Sequence, residues 1–206
     1  MTSLPVPTFL LDLPLAREAL RCAARLHHGQ RREVDAAPFV LHPLEVASLL
    51  HNTGHPDPVI AAGVLHDTIE DTDARISDIE RRFGGEVAAI VAAMTEDPRI
   101  EPFEERKAAL RRQIADFGRD ASAVYAADKV AKVRELRAQA ARDPGVLHAV
   151  KEDTHSKLDH YVESLAMLEQ IAPQHPLVRQ LRFELEVLRA LPPHAGLAGD
   201  AAVVGR

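Results

Sequence analysis

Four residues of the segment VLHDTIEDTD carry side chains that could bind a metal ion or move a proton: His66, Asp67, Glu70 and Asp71. His66 and Glu70 are four residues apart and share one face of a helix, while Asp67 and Asp71 share the neighbouring face. The stretch before them is apolar for two turns, so the four groups lie together at one helix end. Acidic residues are also common at solvated helix ends, and this segment alone leaves a structural role open.

Two other segments offer the same kinds of side chain. His42 in PFVLHPLEV is flanked by apolar residues and followed by Pro43, which places it at a helix start. Asp128 in VYAADKVAKV lies among Ala and Val residues, where a carboxylate is costly to bury unless it is paired or binds a metal. A capping role for the histidine, or a salt bridge from Lys132 or Arg134 to the carboxylate, would explain each residue without a metal.

Together, two imidazoles and two carboxylates form a mixed nitrogen and oxygen ligand set that suits Mn²⁺, Fe²⁺ or Zn²⁺. Sites of this kind lower the pKa of water toward neutrality and make a nucleophile available for attack on phosphorus. Glu70 and Asp71 lie one turn further on and are placed to orient that water or to take its proton. The pattern predicts a metal-dependent phosphohydrolase with four ligands: His42, His66, Asp67 and Asp128.

The same segments resemble the hydrolase domain of RelA/SpoT-type alarmone enzymes, in particular the stand-alone small alarmone hydrolases of the HD superfamily. The similarity covers roughly residues 14–165 and rests on AARLHHGQRR, PFVLHP, AAGVLHDTIEDT, the FG…V…MTED region and AADK. HDTIEDT is the most specific of these, because most other HD phosphatases lack the ED pair. The resemblance implies an HD-domain bundle of roughly eight to ten helices around a single metal site.

The resemblance also implies an activity and the residues that carry it. In the family the H…HD…D residues bind one Mn²⁺, the ED pair is catalytic, and the reaction removes the 3′-pyrophosphate of (p)ppGpp. Here the ligands would be the four residues named above, with Glu70 and Asp71 acting on the nucleophilic water. The implied substrate-binding residues are Arg31 and Arg32 of the basic loop, Lys132, Lys157 and Tyr161.

The chain departs from the family at three positions near the expected substrate. Glu33 stands where the family usually has Lys, and Phe39 stands in place of a Tyr. Lys132 replaces an Asn that helps to hold the nucleoside. One turn from Asp128, Lys132 either contacts a substrate phosphate or forms a salt bridge with that carboxylate. Base choice therefore stays open between (p)ppGpp and (p)ppApp.

Two alternatives to an alarmone hydrolase remain at this point. One is an HD phosphohydrolase that acts on another phosphorylated nucleotide or cofactor. The other is a catalytically inactive nucleotide-binding regulator that keeps its metal only for structure. The intact pair Glu70–Asp71 argues against the regulator, since a binding module needs neither carboxylate.

The bulk composition indicates one helical domain that carries this site. The chain has 206 residues, enough for one sizeable core. Aromatic residues make up only 4% and Trp is absent, so Ala, Leu, Val and Ile must fill the core, which suits helices better than a β-sandwich. With no internal repeat and no strongly alternating strand, we expect an all-α domain over residues 12–190. The Pro-, Gly- and Ala-rich residues 191–206 are predicted to form a disordered tail.

Hydrophobic periodicity and helix-breaking residues predict where the helices lie. Asp12 is placed to cap the first of them. The helix EERKAALRRQIADF is expected to be mostly exposed, with a solvated face preferred over a partner surface. The predicted helices cover residues 14–28, 43–51, 59–71, 77–83, 85–95, 104–117, 121–142, about 147–171, and 176–190.

Charge and cysteine content exclude several classes of partner. The formal net charge of −6 argues against a nucleic-acid-binding surface, although a local basic pocket for a small anion can coexist with it. Cys22 is the single cysteine, which excludes an intramolecular disulfide and fits a reducing cytoplasm. The first residues lack a basic leader and no apolar run reaches membrane-spanning length. We expect a cytoplasmic protein with a small-molecule nucleotide substrate, and the oligomeric state stays open.

Overall fold

The computed structural model describes residues 6–142 and 155–190. Within these ranges the regular elements are helical, and the β-type pairing is limited to an isolated bridge between Arg31 and Pro38. A short 3-10 turn spans Thr8–Leu10. The α-helices are α1 (Pro14–Leu26), α2 (Leu41–Asn52), α3 (Asp57–Leu65), α4 (Thr68–Asp71), α5 (Ile76–Phe83), α6 (Gly85–Met94), α7 (Phe103–Phe117), α8 (Arg119–Arg142), α9 (His155–Ile171) and α10 (Pro176–Ala190).

This architecture confirms the prediction of an all-α bundle. The predicted tail 191–206 and the predicted helical residues 147–154 lie outside the described residues. The domain limits 12–190 therefore stay a prediction.

Helix α3 forms the centre of the bundle. Its apolar residues from Val59 to Leu65 are all buried, because α1, α2, α6 and α8 pack around it. A helix that is apolar on every face is expected in such a position. The end of α3 therefore delivers the residues that follow it directly into the interior of the domain.

A glycine lets α2 and α3 approach each other closely. A Cβ atom built on Gly63 would lie 2.4 Å from Cδ1 of Leu50 and 3.3 Å from Cγ1 of Val46. A side chain at Gly63 would require the Leu50 side chain to move and would crowd Val46. His42 lies in the first turn of α2 and His66 directly follows α3, so the close approach of the two helices brings the two imidazoles near each other.

The prediction of one continuous helix over residues 59–71 was wrong at its centre. Helix α3 ends at Leu65, and Asp67 has φ −89° and ψ −5°, outside the ordinary helical range. The side chains compete with the helical ladder there, since Thr68 Oγ1 donates to the Leu65 carbonyl at 2.6 Å. The resulting turn aims His66 and Asp67 at the same point, which a straight helix would not do.

The start of α1 also differs from the sequence-based expectation. Asp12 does not cap this helix. The free backbone amides at the start of α1 are instead bound by Asp57, the first residue of α3. Asp57 accepts from the Leu15 amide at 2.9 Å and from the Ala16 amide at 2.8 Å. The cap is long-range, so a local capping rule could not identify it.

Candidate metal centre and substrate pocket

The predicted metal-binding side chains converge from three parts of the bundle. His42 lies on α2, His66 and Asp67 lie in the turn between α3 and α4, and Asp128 lies on α8. Nε2 of His42 is 3.1 Å from Asp128 Oδ1 and 3.5 Å from Asp67 Oδ2. Nε2 of His66 is 3.1 Å from Asp67 Oδ1 and 3.4 Å from Asp128 Oδ1.

The two imidazoles are oriented by contacts on their outer sides. Nδ1 of His66 donates to the Gly63 carbonyl at 2.8 Å, which leaves Nε2 directed toward the two carboxylates. Nδ1 of His42 lies 3.5 Å from Glu135 Oε1. Carbonyl and carboxylate partners of this kind commonly hold metal-binding histidines.

The electrostatics of the cluster favour a positive charge at its centre. Burial alone would raise the pKa of Asp128, but Lys129, Lys132 and both histidines hold it well below its usual range. Burial alone would lower the pKa of His66, but the Asp67 and Asp128 carboxylates raise it to about 10. The buried Asp128 carboxylate and the half-buried Asp67 carboxylate thus face two imidazole nitrogens where a cation is stabilised.

The donor set fits a divalent metal ion. One nitrogen or oxygen atom from each of His42, His66 and Asp128 lies within 4.8 Å of the others, and all three residues are buried. Nε2 of His66 is buried without a hydrogen-bond partner among the described residues, although it faces both carboxylates. Coordination of a metal ion would give this atom a partner. Asp67 lies outside that tightest group but adjoins both imidazoles.

The predicted catalytic carboxylates of Glu70 and Asp71 lie beside the metal cluster and line a cavity. Glu70 Oε1 accepts from the Glu96 amide at 2.6 Å, and burial, helped by the Glu96 and Asp67 charges, raises the pKa of Glu70. The pKa of Asp71 is also raised, by burial and by Asp67. The Gln30 side chain donates to the Asp71 carbonyl at 2.8 Å and so ties α4 to the loop after α1.

A cavity of about 850 Å³ opens from the metal cluster to the surface. Nine of the eleven residues predicted for the site line it, while His66 and Asp128 lie behind its wall. This volume is in the range that accommodates a nucleotide-sized ligand. The lining residues from the prediction are Arg31, Arg32, His42, Asp67, Glu70, Asp71, Lys132, Lys157 and Tyr161.

The two arginines of the basic loop differ in how their charge is used. Arg32 donates to Glu135 at 2.9 Å and also pairs with Asp35, so its charge is neutralised within the protein. Arg31 donates to the Ala36 carbonyl at 3.1 Å and has no carboxylate partner among the described residues. Arg31 is therefore the arginine of this loop whose charge is available to a ligand.

Lys132 forms the salt bridge expected of it and also lines the cavity, while its contact with a substrate phosphate stays a prediction. Its Nζ is 3.1 Å from Asp128 Oδ1, which is the predicted salt bridge. Its side chain is 36% exposed and lines the cavity, so it also faces the space a ligand would fill. Lys157 and Tyr161 of α9 line the same region, and burial raises the pKa of the Tyr161 hydroxyl.

The sequence analysis missed two residues that contact the cluster. Lys129 is 4% exposed, places Nζ 2.7 Å from Asp128 Oδ2, and lies 4.5 Å above the Tyr125 ring. Glu135 faces His42 and binds Arg32. A signal existed for Glu135, because it lies seven residues after Asp128 on the same face of α8.

A family model described as HD domain matches residues 19–158 of this chain. The chain belongs to the HD domain family. Guanosine-3′,5′-bis(diphosphate) 3′-pyrophosphohydrolase MESH1 of Homo sapiens is 38% identical over 122 residues, covering 58% of this chain and 68% of that protein. The protein of the same name from Xenopus tropicalis is 38% identical over 129 residues, covering 61% and 72%. These matches confirm the predicted resemblance to small alarmone hydrolases.

Solved structures extend the comparison to nearly the whole chain. A metazoan ortholog of SpoT that hydrolyzes ppGpp superposes with a TM-score of 0.64 at 25% identity, covering 93% of this chain and 100% of that chain. The protein lmo0812 from Listeria monocytogenes EGD-e superposes with a TM-score of 0.60 at 28% identity, covering 71% and 97%. The HD-type helical architecture is therefore confirmed.

Among residues 6–142 and 155–190, no helix combines the length and the apolar character that crossing a membrane requires.

Proposed function

We propose that this chain is a metal-dependent 3′-pyrophosphohydrolase of alarmones, acting on (p)ppGpp, (p)ppApp or both. One observation carries the proposal: the buried His and Asp cluster adjoins a cavity of about 850 Å³ that is lined by the Glu70–Asp71 pair and by basic side chains. The activity named for the human and frog relatives supports the same reaction.

The proposed cofactor is one Mn²⁺ ion, held by His42, His66, Asp67 and Asp128. A set of two imidazoles and two carboxylates suits this ion as well as other divalent transition metals. The ion supplies Lewis-acid polarisation of the phosphoryl group and a nucleophilic water near neutral pH. Lys129 holds the outer oxygen of Asp128, so that Oδ1 stays directed toward both imidazoles.

The carboxylate pair performs the proton transfer in this proposal. Glu70 Oε1 is occupied by the Glu96 amide, so Oε2 is left to take a proton from the attacking water. The water oxygen attacks the phosphorus bonded to ribose O3′ and the P–O3′ bond breaks, so the released pyrophosphate carries the water oxygen. The proton that Glu70 took from the water passes to the departing O3′, which becomes the ribose 3′-hydroxyl. Asp71 orients the water from the same short helix.

The remaining predicted residues bind the substrate. Arg31, Lys132 and Lys157 line the cavity and provide positive charge for phosphates, and Tyr161 offers a hydroxyl. Arg32 contributes indirectly, because its guanidinium is bound by Asp35 and Glu135. The proposal places the reaction in the cytoplasm, where nucleotide substrates occur.

A second candidate is a hydrolase for another phosphorylated nucleotide or cofactor. Glu33 lines the cavity and Lys132 occupies a position where the family has Asn, so the part of the pocket that would bind the base is altered. A third candidate, an inactive nucleotide-binding regulator, would retain affinity without turnover.

The test is release of pyrophosphate from ppGpp and ppApp by chelator-stripped protein, with and without Mn²⁺. Mn²⁺-dependent turnover of either compound is expected, and their ratio measures base preference. Failure on both, with bound metal confirmed, would refute the alarmone assignment in favour of another nucleotide. The Glu70→Gln/Asp71→Asn double variant should lose turnover but keep nucleotide affinity. An unchanged rate would exclude the carboxylate pair from the chemistry.

A further inference from the structure

The Glu70 carboxylate is oriented by a backbone amide from a different part of the chain. Glu96 belongs to the loop between α6 and α7, and its N–H donates to Glu70 Oε1 at 2.6 Å. Because an amide position is only as fixed as the loop that carries it, the aim of Glu70 depends on what holds this loop.

Helix α7 holds the loop through the Glu96 side chain. Arg106 Nε donates to Glu96 Oε2 at 2.8 Å, and Lys107 pairs with the other carboxylate oxygen. Arg106 also donates to the Ile100 carbonyl at 2.9 Å and to the Glu101 carbonyl at 3.1 Å. Both cations therefore hold the Glu96 side chain at the start of the loop, and Arg106 also holds the backbone at its end.

These cations are not part of a solvated surface. The helix was expected to be mostly exposed, but only 26% of the Arg106 side chain and 19% of the Lys107 side chain are accessible. Their partner Glu96 is accessible to 13%. A charge pair this well covered is screened far less by salt than an exposed one.

The same contacts also control the charge next to Glu70. Burial would raise the pKa of Glu96, but Lys107 and Arg106 lower it, so this carboxylate stays ionised and neutralised. An unneutralised Glu96 would repel a negative Glu70. Asp67 and Lys132 also act on Glu70, with opposite signs.

We propose that Arg106 and Lys107 are positioning residues for hydrolysis: they hold Glu96 so that its amide orients Glu70 and its negative charge is neutralised beside it. The proposal rests on the proposed function, in which Glu70 takes the proton of the attacking water. Neither cation lines the cavity, so neither is expected to bind substrate.

Two substitutions should move the pH profile in opposite directions. Lys107→Met leaves Glu96 under-neutralised, so the acidic limb of the kcat/KM profile for ppGpp should move up by about half a pH unit. Glu96→Gln keeps the amide but removes the charge, so the limb should move down by a similar amount. Both profiles are measured on Mn²⁺-loaded protein.

The control is Asp97→Asn, which makes the same charge change one residue further along the same loop. Asp97 pairs only with the exposed Arg99 among the described residues, so its profile should match the wild type. Lys107→Arg keeps the charge and should also restore the wild-type limb if Lys107→Met shifts it. Thermal unfolding of each variant confirms that it is folded.

Shifts in the same direction, or no shift with folded protein, would overturn the positioning role. That result is distinguishable from failure of the proposed function itself. If Glu70→Gln retains full turnover, the catalytic assignment is wrong; if Glu70→Gln abolishes turnover while Lys107→Met leaves the profile unmoved, only this inference is wrong.

Discussion

Replacing Lys129 by Met should strongly destabilise the metal-free protein, because Lys129 is one partner of a buried ion pair. Lys129 is 4% exposed and its Nζ donates to Asp128 Oδ2 at 2.7 Å. The pair is buried, and removing one partner of a buried ion pair costs about 3–5 kcal/mol because the other charge is left uncompensated. The substitution also removes the contact between the Lys129 ammonium group and the Tyr125 ring, whose centroid lies 4.5 Å from Nζ.

The remaining neighbours of Asp128 limit this loss. Lys132 and His42 both lie 3.1 Å from Oδ1, so one carboxylate oxygen keeps its partners. We therefore expect the lower end of that range, about 3 kcal/mol, which corresponds to about 6–12 °C in Tm for a chain of this size.

The assay is urea unfolding of chelator-stripped protein at pH 7.5, with Lys132→Met as the matched control. Lys132 is 36% exposed and pairs with the same carboxylate, so its replacement should cost about 1 kcal/mol or less. Saturating Mn²⁺ should recover part of the Lys129→Met loss, because a ligand that binds only the folded state stabilises it. A Lys129→Met protein within about 0.5 kcal/mol of wild type would refute the buried-pair argument.

Two further substitutions test the packing and the acid sensitivity of the fold. Gly63→Ala should destabilise by about 1–3 kcal/mol in urea unfolding, since its Cβ would lie 2.4 Å from Leu50 Cδ1; combining it with Leu50→Ala should recover part of that cost, and additive losses would contradict this explanation. Nε2 of His55 lies 3.0 Å from Nε2 of His175. Burial lowers the pKa of both histidines, and the charge of a protonated His55 lowers the pKa of His175 further. The folded state thus resists protonation, so stability should be complete above a pH of about 6.5 and fall as the pH drops through the lowered values, and Tm measured against pH should be flatter for His55→Asn. An equally steep profile in that variant would assign the acid sensitivity to other groups.

Many residues of the candidate site could be singled out because polar or charged side chains stand in segments that are otherwise apolar. A carboxylate among Ala and Val, as at Asp128, is costly unless something charged meets it, and a histidine fixed before a proline, as at His42, has a defined place at a helix start. The apolar run before His66 was also visible in the sequence, and its residues from Val59 to Leu65 are buried. These properties follow from single segments and needed no knowledge of the neighbours.

The contacts that orient the site could not be read in the same way. The amide that binds Glu70 comes from Glu96, and the cap of α1 comes from Asp57, in each case a partner distant in sequence. The break at Asp67 depends on whether side-chain hydrogen bonds outcompete the helical ladder, which local periodicity does not reveal.

By itself the amino-acid sequence determined the helical class and singled out the candidate ligands and the candidate carboxylate pair, because burial cost and hydrophobic period are properties of short segments. Only the tertiary structure decided which charges are available. Arg31 and Arg32 are adjacent and chemically identical, yet Asp35 and Glu135 neutralise only Arg32 among the described contacts. Lys132 likewise forms a salt bridge with Asp128 and also lines the cavity, because its position on α8 lies next to both. Charge pairing depends on distances across the bundle, and those distances exist only once the helices have packed.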